Sequence, residues 1–203
     1  MSNDTPSSQE RRDTVDRVWG WHAADLVAVA VIGVAVGAVF WLWNILWTVT
    51  TPLFVAFPPG QAVIYGMWMI SGVLGGLIIR KPGAALLTSV VAASVSAVLG
   101  NHWEIIVLFH GALQGILPEL VFLLLGYRRW GMGAAVLAAA VAGLSPAIRD
   151  NVFYNLTWPL GYQIAYALIA VASSAAIAGV GARLLTTALA KAGALAPFPS
   201  ARG

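Results

Sequence analysis

The chain has no cysteine among its 203 residues, and charged side chains make up only 9% of it. The lack of cysteine excludes a disulfide framework, thiol chemistry and a thiolate metal site. Soluble domains carry roughly 25% charged residues, so this composition argues against a soluble fold. No Asp, Glu, Lys or Arg occurs over 26–79 or over 82–103. Because a helix needs about 20 apolar residues to cross a bilayer, these stretches hold about two spans and one span.

The sequence also lacks the motifs of common enzymes. It contains no Walker A pattern, no Gly-x-Ser-x-Gly elbow and no His-Glu-x-x-His metal motif. Its three histidines, His22, His102 and His110, fall at scattered depths and predict no metal site. We therefore predict no catalytic residue, no metal and no cofactor, and the sequence favours a binding or transport role.

Basic residues occupy alternate gaps between the uncharged stretches. Ten of the eleven lysines and arginines follow this pattern, and Arg149 alone falls on the other set of gaps. Cytoplasmic loops collect Lys and Arg, so both termini are predicted to be cytoplasmic in an inner-membrane protein. The pI near 9.6 then reflects basic residues at the ends of the membrane spans rather than a nucleic-acid-binding surface. The ten residues are Arg11, Arg12, Arg17, Arg80, Lys81, Arg128, Arg129, Arg183, Lys191 and Arg202.

The predicted fold is an all-α polytopic bundle of about six transmembrane helices. The apolar runs predict helices at 24–48, 61–79, 82–99, 103–126, 131–149 and 160–190. Residues 1–22 are predicted to be a disordered cytoplasmic segment, 23–191 the membrane domain, and 192–203 a frayed tail. Because of Pro52, Pro58 and Pro59, residues 48–61 cannot form one helix.

The fourth predicted helix carries a polar stripe. At about 100° per residue, Trp103, Val107, His110 and Gln114 share one face, which predicts a ligand pocket among the helices. A histidine that only bonds a neighbouring helix is the alternative. Glu104 opens this helix, where a carboxylate either serves the helix dipole or binds a cationic or amino group of a ligand.

Two further polar groups have structural and functional interpretations. Glu119 follows Pro118 and points away from the His110 stripe, so we expect it to satisfy freed backbone groups or to contact a partner helix. Arg149 and Asp150 are adjacent at a helix end, where they either close the pocket or only pair with each other.

Aromatic residues crowd the predicted outward half. An interfacial aromatic belt is the simple explanation for any single ring. Interleaved Asn, Gln, His and Glu instead favour a site for a planar heteroaromatic ligand, since a cation over a ring adds about 0.5–2 kcal/mol. The predicted substrate-binding residues are Trp47, Tyr65, Trp68, Asn101, Trp103, Glu104, His110, Gln114, Asn151, Tyr154 and Asn155.

Small residues recur at four-residue spacing, as they do where membrane helices approach closely. They predict packing within this chain or contact with a separate membrane partner. The pairs are Ala24/Ala28, Gly33/Gly37, Gly72/Gly76 and Gly111/Gly115. The predicted partner or lipid-headgroup contacts are Ala24, Ala28, Arg80, Lys81, Arg128 and Arg129.

Several separated segments together carry a resemblance to a known family. They are the stretches from Tyr65 to Trp68, from Ile78 to Ala85, from Gly100 to Trp103, from His110 to Leu120, from Tyr127 to Trp130, and Arg149-Asp150. In these segments the chain resembles the YkoE-type substrate-binding S components of energy-coupling factor (ECF) transporters. The resemblance covers roughly residues 24 to 190.

The resemblance implies a six-helix bundle that binds a vitamin near the outer face. Such a bundle docks on a transmembrane T component that two cytoplasmic ATPase subunits drive. It also implies thiamine or hydroxymethylpyrimidine as the ligand and a dedicated energising module. Two alternatives remain: an ion-coupled secondary transporter of a small heteroaromatic solute, and an intramembrane enzyme that uses His110 with Ser71 or Ser145.

Overall fold

In the computed structural model, residues 20–100 and 106–202 are described, and they form six apolar helices. The predicted site residues Asn101, Trp103 and Glu104 therefore lie outside the described residues. The helices are α1 (Ala23–Thr50), α2 (Pro58–Ile79), α3 (Ala84–Val98), α4 (Ile106–Leu124), α5 (Met132–Phe153) and α6 (Leu160–Lys191).

The predicted helices are confirmed, with boundaries that differ by a few residues. Five of the six are long and apolar enough to cross a membrane, and α3 is a shorter apolar helix. The proline-rich segment is broken as expected: α1 ends at Thr50 and a short 3-10 turn, Thr51–Phe54, follows it. Within the described residues the secondary structure is entirely helical. The molecule is a multi-pass membrane protein.

Helix α2 is the centre of the bundle. All ten residues of its α-helical part, Ile70–Ile79, are buried, and Leu77, Ile78 and Ile79 have no exposed surface. A helix that is apolar on every side is buried in the interior. The other helices pack around it and keep one apolar face outward, as lipid contact requires: Leu26 and Val31 of α1 are more than half exposed.

Two helices depart from α geometry where they cross. The first part of α2, Pro58–Met69, is a 3-10 helix, and Ser174–Val180 of α6 is a π-helix. Gly66 lies at this crossing: its N–H donates to Ser173 Oγ at 3.0 Å, and the Ser173 hydroxyl donates to the Val63 carbonyl at 2.6 Å. The close approach fixes the rotation of the 3-10 segment against α6.

We expect Gly66→Ala to destabilise the protein by about 1–3 kcal/mol, the usual cost of overpacking. A Cβ atom there would lie 2.3 Å from the Ser173 carbonyl oxygen, and backbone cannot move aside as a flexible side chain can. Thermal unfolding in detergent measures the effect. Gly161→Ala is the control, because no atom lies within 4 Å of its Cβ position. Equal melting temperatures for the two variants would contradict the prediction.

A tight turn joins α2 to α3, and we call the end of the bundle that holds it the hairpin end. Gly83 has φ +85°, which favours glycine. The Glu119 carboxylate accepts hydrogen bonds from the N–H groups of Gly83 at 2.8 Å and Ala85 at 2.9 Å. It thereby caps α3, whose first N–H groups have no partner in their own helix. Glu119 therefore satisfies free backbone groups, one of the two roles expected from the sequence.

The Tyr127 hydroxyl holds Glu119 in place by donating to its carboxylate at 2.5 Å. Burial, together with this hydrogen bond and the nearby charge of Glu119, raises the pKa of Tyr127 above its ordinary value. Tyr127 consequently remains a protonated donor at any physiological pH, and the cap on α3 does not depend on its ionisation.

A buried ion pair fixes the start of α1 to the same turn. Lys81 Nζ lies 2.5 Å from Asp25 Oδ2 and also donates to the Gly20 carbonyl at 2.7 Å. Trp21 donates its indole N–H to the Pro82 carbonyl at 3.2 Å. Lys81 is only 9% exposed and its charge is paired inside the chain. Its contact with a partner or with lipid headgroups stays a prediction.

The C-terminal segment folds back on the hairpin end, whereas the sequence led us to expect a frayed tail. Leu195 and Ser200 are 5% and 2% exposed. Arg80 donates to the Pro199 carbonyl at 3.4 Å, and its guanidinium carbon lies 5.8 Å from the ring centroid of Trp130. Apolar burial and these contacts outweigh the entropy of a free tail.

The glycine pairs pack within the chain. A Cβ on Gly33 would lie 2.5 Å from Val91 of α3, and one on Gly111 would lie 2.4 Å from Ala93. Both α1 and α4 thus approach α3 through glycine. The alanine pair differs, because Ala28 is buried while Ala24 is exposed. Only Ala24 of that pair remains on the surface.

Candidate functional site

A cavity of about 400 Å³ opens between the helices at the end of the bundle opposite the hairpin end, and we call this the cavity end. Pockets for small molecules commonly measure about 300–1,000 Å³. All six helices contribute to its wall. The lining residues are Phe40, Asn44, Trp47, Thr51, Pro58, Gln61, Tyr65, Trp68, Ala93, Ser96, Val107, His110, Gln114, Arg149, Asp150, Tyr154, Asn155, Trp158 and Tyr166.

Three rings form one side of the cavity, which we call the aromatic wall: Trp47, Tyr65 and Trp68. The ring centroids of Trp47 and Tyr65 are 5.5 Å apart, those of Trp47 and Trp68 are 5.2 Å apart, and those of Tyr65 and Trp68 are 5.0 Å apart. Such separations with tilted planes are favourable for aromatic pairs. The wall provides stacking surface for a planar ring and a place for a cation.

The aromatic wall is positioned by contacts between α1 and α2. Gln61 donates its amide nitrogen to the Trp47 carbonyl and to the Thr51 hydroxyl, both at 2.9 Å. Trp43 donates its indole N–H to the Ile64 carbonyl at 2.9 Å. Gln61 thus lines the cavity, but both of its N–H donors serve the fold.

Helix α4 supplies the facing polar groups. His110 and Gln114 are buried, 7% and 8% exposed, and both line the cavity together with Val107. The predicted stripe on this helix is therefore brought together as far as the structure describes it. The serines of the enzyme hypothesis lie elsewhere: Ser71 is hydrogen-bonded to Ser89 at 3.0 Å, and neither Ser71 nor Ser145 is among the lining residues.

A buried hydrogen-bonded group, which we call the Arg149 network, closes one corner of the cavity. Arg149 Nε donates to Asp150 Oδ1 at 2.7 Å, and Arg149 Nη2 donates to the Tyr65 hydroxyl at 2.5 Å. The Tyr166 hydroxyl donates to the other oxygen of Asp150. Arg149 and Asp150 both pair and line the cavity, so the two interpretations of the sequence hold together.

The Arg149 network joins three helices. Tyr65 lies on α2, Arg149 and Asp150 on α5, and Tyr166 on α6. Consecutive residues on a helix point about 100° apart and do not normally face each other. The ion pair forms because the long Arg149 side chain bends toward Asp150, and the tyrosine hydroxyls complete the hydrogen bonds that a buried charge pair needs.

Of three further predicted site residues near the end of α5, the structure places two in the cavity wall and one outside it. Tyr154 and Asn155 line the cavity, but Asn151 does not. Asn151 donates its amide to the Gln163 carbonyl at 2.9 Å and accepts from the Asn155 amide at 3.3 Å. In the structure Asn151 therefore supports Asn155, and its contact with a ligand stays a prediction. Asn155 is 8% exposed and holds its place at the end of α5.

Sequence reasoning left several lining residues out of the site. Phe40, Asn44 and Thr51 were left out, although they lie on the same face as the predicted residue Trp47, at successive spacings of four, three and four residues along α1 and its C-terminal end. That periodicity was a usable signal. Tyr166 carried no such signal, because it lies on α6 and reaches the cavity through its contact with Asp150.

Comparison with known proteins gives three matches. The family model described as "ABC-type cobalt transport system, permease component" matches residues 24–145. A Bacillus subtilis (strain 168) protein, provisionally named HMP/thiamine permease protein YkoE, is 30% identical over 178 residues, covering 86% of this chain and 87% of its own. A crystal structure of an S-component of ECF transporter has TM-score 0.85 and 28% identity, covering 90% of this chain and 92% of that one.

Six apolar helices around a ring-lined cavity define a membrane protein of the solute-transport class. The chain belongs to the permease family that the matching model and YkoE represent. It is a substrate-binding S component of the ECF type. Within residues 20–100 and 106–202, no three side chains of His, Asp or Glu come together as a metal site requires.

Proposed function

We propose that this chain captures thiamine or its hydroxymethylpyrimidine part at the cavity end and delivers it across the membrane. The aromatic wall facing His110 and Gln114 is the observation that carries the proposal. Both compounds contain a planar ring with hydrogen-bonding edges, and thiamine adds a cationic ring that suits aromatic faces. The name of the B. subtilis relative points to the same ligands.

The cavity end faces the outside of the cell in this proposal. Arg80, Lys81, Arg128 and Arg129 all belong to the opposite, hairpin end, or to the loop after α4 that packs on it. Lys and Arg accumulate on the cytoplasmic side of a membrane protein. We therefore propose that the hairpin end and both termini lie in the cytoplasm of a bacterial cell, with the plasma membrane as the location.

Energy comes from partner subunits in this proposal. A transmembrane T component and two cytoplasmic ATPases would move the loaded bundle, and this chain would carry out no catalysis. The exposed Arg128 and Arg129, with the exposed Ala24, form the remaining surface for partner or headgroup contact. Glu104 stays in the proposed site on the strength of the sequence alone.

We expect thiamine or hydroxymethylpyrimidine to bind the purified chain in detergent at one site, with a Kd tighter than about 1 µM, near −8.2 kcal/mol. Trp68→Ala should weaken binding by roughly 5- to 150-fold, because ring stacking contributes about 1–3 kcal/mol. Isothermal titration calorimetry measures both. Trp41→Ala is the matched control, since Trp41 lies on α1 but not in the cavity wall.

Three outcomes oppose the proposal in different ways. Saturable binding of Co²⁺, with no binding of either organic compound, would favour the cobalt activity that the family description names. Uptake by proteoliposomes that contain only this chain and an ion gradient would favour a secondary transporter. Equal affinity of Trp68→Ala and wild type would remove the aromatic wall from the site.

A further inference from the structure

Asn44 occupies a central position in the cavity wall on α1. It lies one turn from Phe40 and nearly one turn from Trp47, and all three line the cavity. The residue is 6% exposed. Buried asparagine is uncommon unless its amide is hydrogen-bonded.

The Asn44 amide has no such partner among the described residues. Its Nδ2 atom is buried and makes no hydrogen bond to any part of residues 20–100 and 106–202. Its backbone carbonyl, by contrast, accepts from the Thr48 hydroxyl at 3.1 Å. Gln61, the nearby amide in the same wall, uses its nitrogen twice within the protein. An unsatisfied buried donor is costly, so a ligand that satisfies it gains affinity.

A carboxamide presents a donor and an acceptor side by side in one plane. Its complement is a ring nitrogen next to an exocyclic amino group, the pairing by which Asn reads the N6/N7 edge of adenine. The terminal torsion of asparagine is broad, so the amide plane can rotate about the Cβ–Cγ bond to become coplanar with such an edge. Phe40 and Trp47 lie about one turn to either side of Asn44 on the same face and line the cavity with it.

We propose that Asn44 recognises the ligand by pairing its amide with a ring nitrogen and an adjacent amino group, the edge of an aminopyrimidine. This inference rests on the proposed function and assigns the residue that reads the ring edge. The aromatic wall then packs against the face of the ligand ring. Asn44 distinguishes ligands by the hydrogen-bonding groups on the edge of that ring.

A double-mutant cycle tests the pairing. Calorimetry is run on wild type and Asn44→Leu, each with thiamine and with a thiamine analogue whose pyrimidine amino group is replaced by hydrogen. For wild type, removal of the amino group should weaken binding about tenfold or more, equal to about 1.4 kcal/mol. Asn44→Leu should lose a similar factor for thiamine, and its affinities for the two compounds should agree within about twofold, or 0.4 kcal/mol.

Stability separates a recognition role from a structural one. Leucine is close to asparagine in shape and removes an unpartnered polar group, so Asn44→Leu should unfold at or above the wild-type temperature. Asn44→Ala is the second variant if leucine disturbs packing. Thr48→Val is the control for affinity, because Thr48 lies one turn from Asn44 on α1 and does not line the cavity.

The outcomes distinguish this inference from the function it rests on. If wild type binds neither thiamine nor hydroxymethylpyrimidine, the proposed function fails. If wild type binds thiamine but Asn44→Leu and Asn44→Ala bind it equally well, the assignment of Asn44 fails alone. Independent, additive losses from the variant and from the analogue would overturn it as well.

Discussion

Replacing Arg149 with leucine is expected to lower the free energy of unfolding by about 3–5 kcal/mol, the range for breaking a buried ion pair. The change leaves Asp150 as a carboxylate in the wall of a membrane-embedded bundle without its guanidinium partner. The side chains of Arg149 and Asp150 are 12% and 10% exposed. Solvent therefore compensates little for the stabilisation of the Asp150 carboxylate that is lost with the guanidinium.

The matched variant is Arg149→Leu combined with Asp150→Asn. Removing both charges also removes the unpaired one, and replacement of a complete buried pair by neutral groups is often nearly neutral. We expect the double variant to recover most of the stability lost by Arg149→Leu. Thermal or denaturant unfolding in detergent gives both values. If the two substitutions destabilise additively, the pair is not coupled in the way its geometry indicates.

Ligand affinity should not recover with stability. Arg149 Nη2 donates to the Tyr65 hydroxyl, and Tyr65 belongs to the aromatic wall. The double variant restores neutrality but not this hydrogen bond, so the Tyr65 ring loses the contact that fixes its place. We expect thiamine binding to remain weaker than in wild type. Calorimetry on the folded double variant measures this affinity.

Lys81→Met should cost a similar amount, about 3–5 kcal/mol, at the other end of the bundle. It removes the Lys81–Asp25 contact of 2.5 Å and the hydrogen bond to the Gly20 carbonyl, and it leaves Asp25 buried without its cation. Because Asp25 stands in the first turn of α1, we expect this helix end to detach from the α2–α3 turn.

Arg129→Met is the control for Lys81→Met. Arg129 is exposed, and exposed substitutions away from structural features usually change stability by within about 0.5 kcal/mol. Adding Asp25→Asn to Lys81→Met should restore much of the loss. Melting temperatures in one detergent give the comparison. A Lys81→Met melting temperature equal to that of Arg129→Met would show that the ion pair contributes nothing.

Lys81 and Arg129 show what sequence reasoning could not separate. Both are basic residues in short loops between apolar runs, so both fit the topology rule equally well. Only packing distinguishes them, because Asp25 lies 56 positions from Lys81 and meets it in space. The same limitation applied to Arg149, whose partner Tyr65 is 84 positions away.

The polar stripe on α4 shows where sequence reasoning succeeded. His110 and Gln114 were placed together from helical period alone, and they line one cavity. Asn44 is absent from the predicted site, because nothing in a sequence reports whether a buried amide has a hydrogen-bond partner. Asn151 belongs to the predicted site because its loop is rich in Asn and aromatic residues. In the structure its amide instead donates a hydrogen bond to the Gln163 carbonyl.

The six apolar helices, their order along the chain and the class of membrane protein all follow from the sequence. The lengths of the uncharged stretches and the positions of Lys and Arg are enough for these conclusions, and both can be taken directly from the order of residues. Which polar side chains line the cavity, and which make hydrogen bonds or ion pairs within the chain, depends on the three-dimensional packing of the helices. That outcome depends on helix rotation, which contacts between distant positions fix, such as Gly66 against Ser173. Rotation of a helix by one residue would carry Tyr65 away from the cavity without changing any property of the sequence.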